Sequence, residues 1–162
     1  MNKILSYKQI SRLRNAWDIS LQVVLVTGVF DLLHHAHRQF LKKAKDAGDI
    51  LLVGVETDER VKQLKGWQRP YEPLALRLLN LSKLRVVDFV FSLPKDFNSV
   101  KAYLDLLQTL KPNILAVSSH TPFLKEKKAL LKKVNGKVKI VLQQNIKVST
   151  TIIGQERYKK AA

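Results

Sequence analysis

Three of the chain's four histidines fall within four positions, at His34, His35 and His37. His34 and His37 are three residues apart, so a helix that begins here carries both on one face. They follow an apolar run at residues 22–27 and the short turn Gly28-Val29-Phe30-Asp31-Leu32-Leu33. A helix N-terminus presents unpaired N–H groups and positive partial charge, which suits an anion. Two imidazoles at that point add directed donors for phosphoryl oxygens, the stabilisation that phosphoryl transfer requires. Gly28 lets the chain leave the strand tightly, and Asp31 can hold the turn by accepting from backbone N–H groups. A His-x-x-His pair is also a metal-site pattern, but no cysteine and no evident third ligand follows nearby. A chance pairing on the surface is the other ordinary reading.

Further candidates lie downstream. Lys62 and Lys65 follow the second apolar run in a loop or short helix, close to where phosphates would sit, or are two of 29 scattered basic residues. Arg77 stands among leucines, where an arginine must snorkel or bind something anionic. Ser149 reads as the N-cap of a last helix, and with Thr150 and Thr151 it also makes an anion site.

The elements that must position these residues are legible as alternation. Residues 22–27 and 50–55 read as buried strands, and residues 86–91, 114–117 and 138–142 complete five. Between them, residues 35–47, 74–84, 99–110 and 123–134 have helical period, the first ended by Gly48 and the second opened by Pro73. The pattern predicts an α/β fold: one Rossmann-like domain over residues 1–162, a five-stranded parallel sheet with helices on both faces. Ligands in such sheets bind beyond the carboxyl ends of the strands, after Thr27, Val55, Val117 and Leu142.

Composition narrows the function classes. The chain has no cysteine, which excludes a thiol nucleophile and a cysteine zinc site and fits a reducing cytoplasm. No apolar run approaches the ~20 residues of a membrane span. The net charge is +16, and residues 95–162 carry 14 basic and 4 acidic side chains. Such a surplus attracts polyanions. The lysines of that half lack interleaved aromatics, so they read as solvated surface, including the dense stretch 125–139.

The segment Gly28-Val29-Phe30-Asp31-Leu32-Leu33-His34-His35-Ala36-His37 resembles the G-x-F-D-x-x-H-x-G-H motif of the cytidylyltransferase-like nucleotidylyltransferases, with Ala36 in place of glycine. The similarity continues through Glu56-Thr57-Asp58-Glu59, Val61 to Gly66, Arg69-Pro70, Pro73, Leu74, Arg77 and Val87-Asp88, and through Ser149-Thr150-Thr151. The middle region is most similar to the adenylyltransferase domain that makes ADP-heptose. The resemblance implies transfer of a nucleoside monophosphate from a triphosphate to a phosphorylated sugar or polyol such as a heptose 1-phosphate, with ATP favoured over CTP. It assigns catalysis to His34, His37 and Lys65. Nucleotide binding falls to Thr27, Gly28, Val29, Phe30, Asp31, Lys62, Arg77, Ser149, Thr150 and Thr151.

Mg2+ would arrive on the substrate rather than in a protein metal site, and a homodimer is compatible with the class. No membrane and no nucleic-acid partner is expected. Two departures motivate an alternative, a nucleotide-binding protein with weakened catalysis. One is Ala36. The other is Ser118-Ser119-His120, where related enzymes usually carry Gly-Gly-Asp or Gly-Asp; His120 is either a replacement ligand or an exposed loop residue. A basic nucleic-acid-binding module is the more distant rival.

Overall fold

A computed structural model describes residues 2–143. The strands are β1 (Ile4–Leu5), β2 (Val23–Gly28), β3 (Ile50–Val55), β4 (Phe89–Ser92), β5 (Ile114–Ser118) and β6 (Lys137–Leu142). The helices are α1 (Tyr7–Ala16), α2 (His35–Lys45), α3 (Asp58–Lys65), α4 (Leu74–Ser82), α5 (Val100–Leu110) and α6 (Leu124–Lys132). All strands run parallel in the order β1-β4-β3-β2-β5-β6. The sheet therefore has six strands, not five. The added strand is two residues long and pairs only with Val90 and Phe91.

β2, β3 and β5 are near-continuous apolar runs because both faces of the sheet are covered there; β6, at the edge, alternates with lysines and is largely exposed. Val23 and Leu25 point to one face with Leu52, Phe91 and Leu115, under leucines of α5 and α6 and Ile10 of α1. Val24 and Val26 point to the other with Leu51, Val53 and Val90, under Leu41 and Ala44 of α2 and Leu81 of α4.

Local signals fix the helix ends. Ser6 and Gln9 form a reciprocal capping box on α1, and Thr57 and Ser99 cap α3 and α5. α2 stops at Lys45, before Gly48. The glycine serves a different purpose from the expected stop: a Cβ there would lie 2.7 Å from the Gln22 carbonyl oxygen.

The order places the reversal of winding between β2 and β5. These two pair only at Val24 with Ile114 and Leu25 with Leu115. Beyond that point no further rung joins them, and a crevice opens at their carboxyl ends, the usual ligand position in such sheets.

Candidate active site

The crevice widens into a cavity of about 740 Å3. Its floor is the β2 turn, with Thr27, Gly28, Val29, Phe30 and Asp31. His34, Ala36 and His37 of α2 stand on one side, with Glu56, Arg60 and Lys65 beyond β3. Phe97 to Val100 and Tyr103 close it from α5, and Ser118, His120, Phe123 and Lys127 from the β5–α6 side.

The turn is held in a costly conformation. Phe30 and Leu32 have φ of 51° and 48°, left-handed values uncommon for residues with bulky side chains. Asp31 lies between them, 1% exposed. Its carboxylate accepts from Arg69 Nε at 3.1 Å and Nη2 at 2.8 Å, and from the N–H groups of Tyr71 and Glu72, each at 2.9 Å. It thus accepts from backbone N–H groups as expected, and these tie the turn to the loop before α4. Gly28 is needed for close approach, since a Cβ there would meet the Phe30 ring at 3.0 Å.

The two histidines lie face to face, their ring centroids 3.8 Å apart with 21° between planes. The Phe30 ring meets His37 edge-on at 5.5 Å. His37 Nδ1 accepts from the His34 backbone N–H at 3.4 Å, a long bond that favours the tautomer with the proton on Nε2. Burial, then His34 and then Lys65, push the His37 pKa down to about 3, against a smaller upward pull from Asp31. His34 is also lowered, by burial first and His35 second. The unliganded site therefore holds the His37 ring as a neutral donor.

Lys65 lines the cavity as expected, and its pKa is lowered by burial and by Arg69. Lys62 stands exposed on α3 outside the lining. Arg77 requires a correction. It is 0% exposed and does not line the cavity. Its guanidinium donates to the Glu72 carbonyl at 3.0 Å, the Val29 carbonyl at 2.7 Å and Asp58 Oδ1 at 2.6 Å. The anion that this arginine needed is the chain's own Asp58. Ser149, Thr150 and Thr151 lie outside the described residues.

Lys127 is a second correction, since it belongs to the stretch read as solvated surface. It is half-buried in the cavity wall, Nζ donating to Thr121 Oγ1 at 2.6 Å, and burial lowers its pKa. His120 is exposed at the rim with Nδ1 3.1 Å from Ser119 Oγ.

One observation had no counterpart in the sequence. Among the described residues, the buried side-chain atoms with no hydrogen-bond partner are His34 Nδ1, Glu56 Oε2, Arg60 Nε and Tyr103 Oη. All four residues line this cavity. Buried polar groups are ordinarily paired, so a convergence of unpaired ones marks where a ligand completes the set. Burial raises the Glu56 carboxyl to about 7 against the pull of Arg60 and Arg77.

Comparison with known proteins agrees with this geometry. A family model described as Cytidylyltransferase-like matches residues 25–156. The bifunctional protein HldE of Helicobacter hepaticus is 42% identical over 94 residues, 58% of this chain and 18% of that protein. HldE of Geotalea uraniireducens is 36% identical over 137 residues, 84% of this chain and 27% of that protein. The chain thus spans less than a third of the length of these curated relatives. A lipopolysaccharide core biosynthesis protein from Thermoplasma volcanium superposes with a TM-score of 0.65 at 28% identity, over 78% of this chain and 98% of that one. The pantoate-beta-alanine ligase of Francisella tularensis shares the fold, with a TM-score of 0.69 at 20% identity over 98% of this chain and 77% of that one.

Proposed function

Because the chain belongs to the cytidylyltransferase-like family, we propose that it is a nucleotidylyltransferase that moves AMP from ATP onto a sugar phosphate of the heptose 1-phosphate type. The observation that carries this reading is the stacked His34–His37 pair opening α2 into the cavity at the sheet's switch point. The HldE relatives and the lipopolysaccharide core biosynthesis protein support a sugar-phosphate acceptor. ATP is preferred here over CTP on the likeness of the middle region to adenylyltransferases.

In the reaction a phosphate oxygen of the acceptor attacks the α-phosphorus, the bond to the β-phosphate oxygen breaks, and pyrophosphate leaves. The acceptor is already anionic near neutral pH, so no protein nucleophile or strong base is needed. Positioning and charge stabilisation suffice. His37, protonated at Nε2, and His34 donate to phosphoryl oxygens as charge develops, the α2 N-terminus adds its unpaired N–H groups, and Lys65 supplies charge. Among the described residues no three His, Cys, Asp or Glu side chains converge as a metal cage. Mg2+ would therefore be held chiefly by triphosphate oxygens, where it shields their charge.

A cytoplasmic location belongs to the same proposal, since that is where these substrates are made; among the described residues no helix is long and apolar enough to cross a membrane. So does a homodimer, for which Leu76 and Leu79 stand exposed on α4.

The test is pyrophosphate release from ATP or CTP with heptose 1-phosphate and other sugar phosphates. His34→Ala and His37→Ala should each lower turnover at least ~100-fold while triphosphate affinity falls much less. Near-normal turnover in both variants would overturn the mechanism. ATP binding by the wild type with no pyrophosphate release from any acceptor would favour the weakened-catalysis reading that Ala36 suggests.

A further inference from the structure

The four unpaired buried atoms are not distributed evenly around the cavity. His34 stands at the α2 end, while Glu56, Arg60 and Tyr103 belong to the β3, α3 and α5 wall. Glu56 directly follows β3, and its N–H donates to the Gly28 carbonyl at 3.0 Å, which fixes its backbone beside the start of the catalytic turn. Arg60 sits in the first turn of α3 with Nη1 bonded to Gln63 at 3.2 Å, leaving Nε unpaired. The Tyr103 ring packs against Phe97 at 5.2 Å between centroids. Its hydroxyl makes no bond of good geometry. Burial raises its pKa to about 12, against a downward pull from the Thr27 side chain and with a further upward push from Glu56.

This wall is chemically unlike the histidine end. A triphosphate needs donors, and a half-buried carboxyl with an unpaired oxygen is a poor neighbour for it. The missing ligand must donate to Glu56 and accept from Arg60, while Tyr103 can do either. Neighbouring hydroxyls on a carbon ring do both at once. Phe97, packed on Tyr103, lines the cavity with Val100 and Leu64, and the three offer apolar surface to the ring's C–H groups.

We propose that Glu56, Arg60 and Tyr103 form the subsite that holds the hydroxyl-bearing part of a phosphorylated sugar, with Glu56 as its specificity-determining residue. The proposal rests on the nucleotidylyltransferase reading and adds which wall takes which substrate: hydroxyls bind the β3–α5 wall, and the triphosphate keeps to the histidines and the α6 side. Ligands with two adjacent hydroxyls gain most, because one hydroxyl can donate to Glu56 Oε2 while its neighbour accepts from Arg60 Nε.

The experiment uses the full chain with heptose 1-phosphate and ATP, comparing the wild type with Glu56→Ala, Glu56→Gln and Tyr103→Phe. Steady-state kinetics give KM for the sugar phosphate and kcat, and calorimetry gives the ATP Kd. Glu56→Ala should raise the sugar-phosphate KM about 10- to 100-fold, the usual effect of losing hydrogen bonds to a charged group. Glu56→Gln, which keeps the shape and one acceptor oxygen, should fall between it and the wild type. Tyr103→Phe should raise KM about 2- to 10-fold. The ATP Kd should move less than about 3-fold in all three, well below the expected effect on the sugar. An unchanged sugar-phosphate KM in folded Glu56→Gln and Tyr103→Phe overturns the subsite and leaves the enzyme reading standing. An ATP Kd that weakens in step with that KM also overturns it, placing the nucleotide on this wall. A wild type that turns over no sugar phosphate overturns the enzyme reading and the subsite together.

Discussion

Asp31 is the residue on which the catalytic turn hangs, and its removal has a magnitude that the structure sets. The carboxylate is 1% exposed, and Arg69, its ion-pair partner at 2.8 Å, is 7% exposed. Breaking a buried pair from one side costs about 3–5 kcal/mol, because the remaining charge stays buried without its counter-ion. The backbone N–H groups of Tyr71 and Glu72 lose their acceptor as well. Asp31→Ala should therefore lose about 4 kcal/mol, a large part of the ~5–15 kcal/mol of a typical domain. With a urea m-value of about 2 kcal/mol/M, the midpoint should fall by about 2 M. Arg69→Ala should cost less, since the carboxylate keeps its two backbone donors. The double variant should fall well short of the sum of the two single effects, because the sites are in contact. Urea unfolding of the wild type, both single variants and the double variant measures all of this. A loss below about 1 kcal/mol for Asp31→Ala, or strict additivity, would refute the bracket, since a buried pair broken from one side must cost more.

Three further outcomes follow from the same geometry. Arg77→Lys should destabilise the fold by about 2–3 kcal/mol, because one ammonium cannot serve the Val29, Glu72 and Asp58 oxygens that a planar fork reaches, and urea unfolding reads the loss. The Glu56 carboxyl, raised to about 7, binds a proton in the folded protein that the unfolded chain has released above about 4.5. Its contribution is thus most favourable below that value and is lost as pH rises through 7, so Glu56→Gln should stabilise the free protein at pH 8 by about 1–2 kcal/mol after discounting for partial exposure, and less at pH 5. Equal stabilisation at both pH values would remove that account. Lys128→Gln, Lys132→Gln and Lys133→Gln together should leave turnover and KM near wild type at moderate salt, whereas Lys127→Gln alone should raise the ATP KM about 3- to 10-fold, as losing one charged donor would.

β2, β3 and β5 are legible because each is a short apolar run buried on both faces, whereas β6, KVKIVL at the sheet edge, is largely exposed and is legible from its β-branched residues alone. β1 escaped notice since two residues, Ile4 and Leu5, carry no period; only pairing with β4 makes them a strand. The α1 start is legible as Ser6-x-x-Gln9, a capping box at the head of the leading helix. At the site, the glycine turn, His34, His37 and Lys65 lay where the strand-end rule puts ligands. Glu56 was open to the same rule, being the first residue after β3, but a lone carboxylate is not conspicuous until its unpaired oxygen is seen. Lys127 was hidden by the charge run around it. Its helix face was nonetheless readable: Leu124, Lys127, Leu130 and Leu131 follow at spacings of three and four, and the last two are buried. Arg77 shows the opposite limit. Sequence can say that an arginine among leucines needs an anion, but not that Asp58, nineteen positions earlier, supplies it.

That misassignment changes how the middle of the chain should be understood. A left-handed φ at a bulky residue costs of order 1–3 kcal/mol, and the catalytic turn holds two such residues, Phe30 and Leu32, on either side of Asp31. Such strain persists only where surrounding contacts over-determine the backbone. Here the contacts come from one segment, residues 58–77. Arg69, Tyr71 and Glu72 clamp the Asp31 carboxylate, and Arg77 takes the Val29 carbonyl while Asp58 ties Arg77 and the Leu74 N–H to α3. The stretch whose cations first suggest phosphate binding is thus mostly a vice for the turn that lines the cavity. Only Lys65, of the three candidates Lys62, Lys65 and Arg77, has a side chain placed for the ligand itself. On the proposed function, activity would depend on these buried charges as well as on the histidines, because they hold the turn that leads into α2. If the turn holds the triphosphate and Glu56 the sugar, as proposed, Arg69→Ala should weaken the ATP Kd measured by calorimetry more than it raises the sugar-phosphate KM, and an equal effect on both would count against that division.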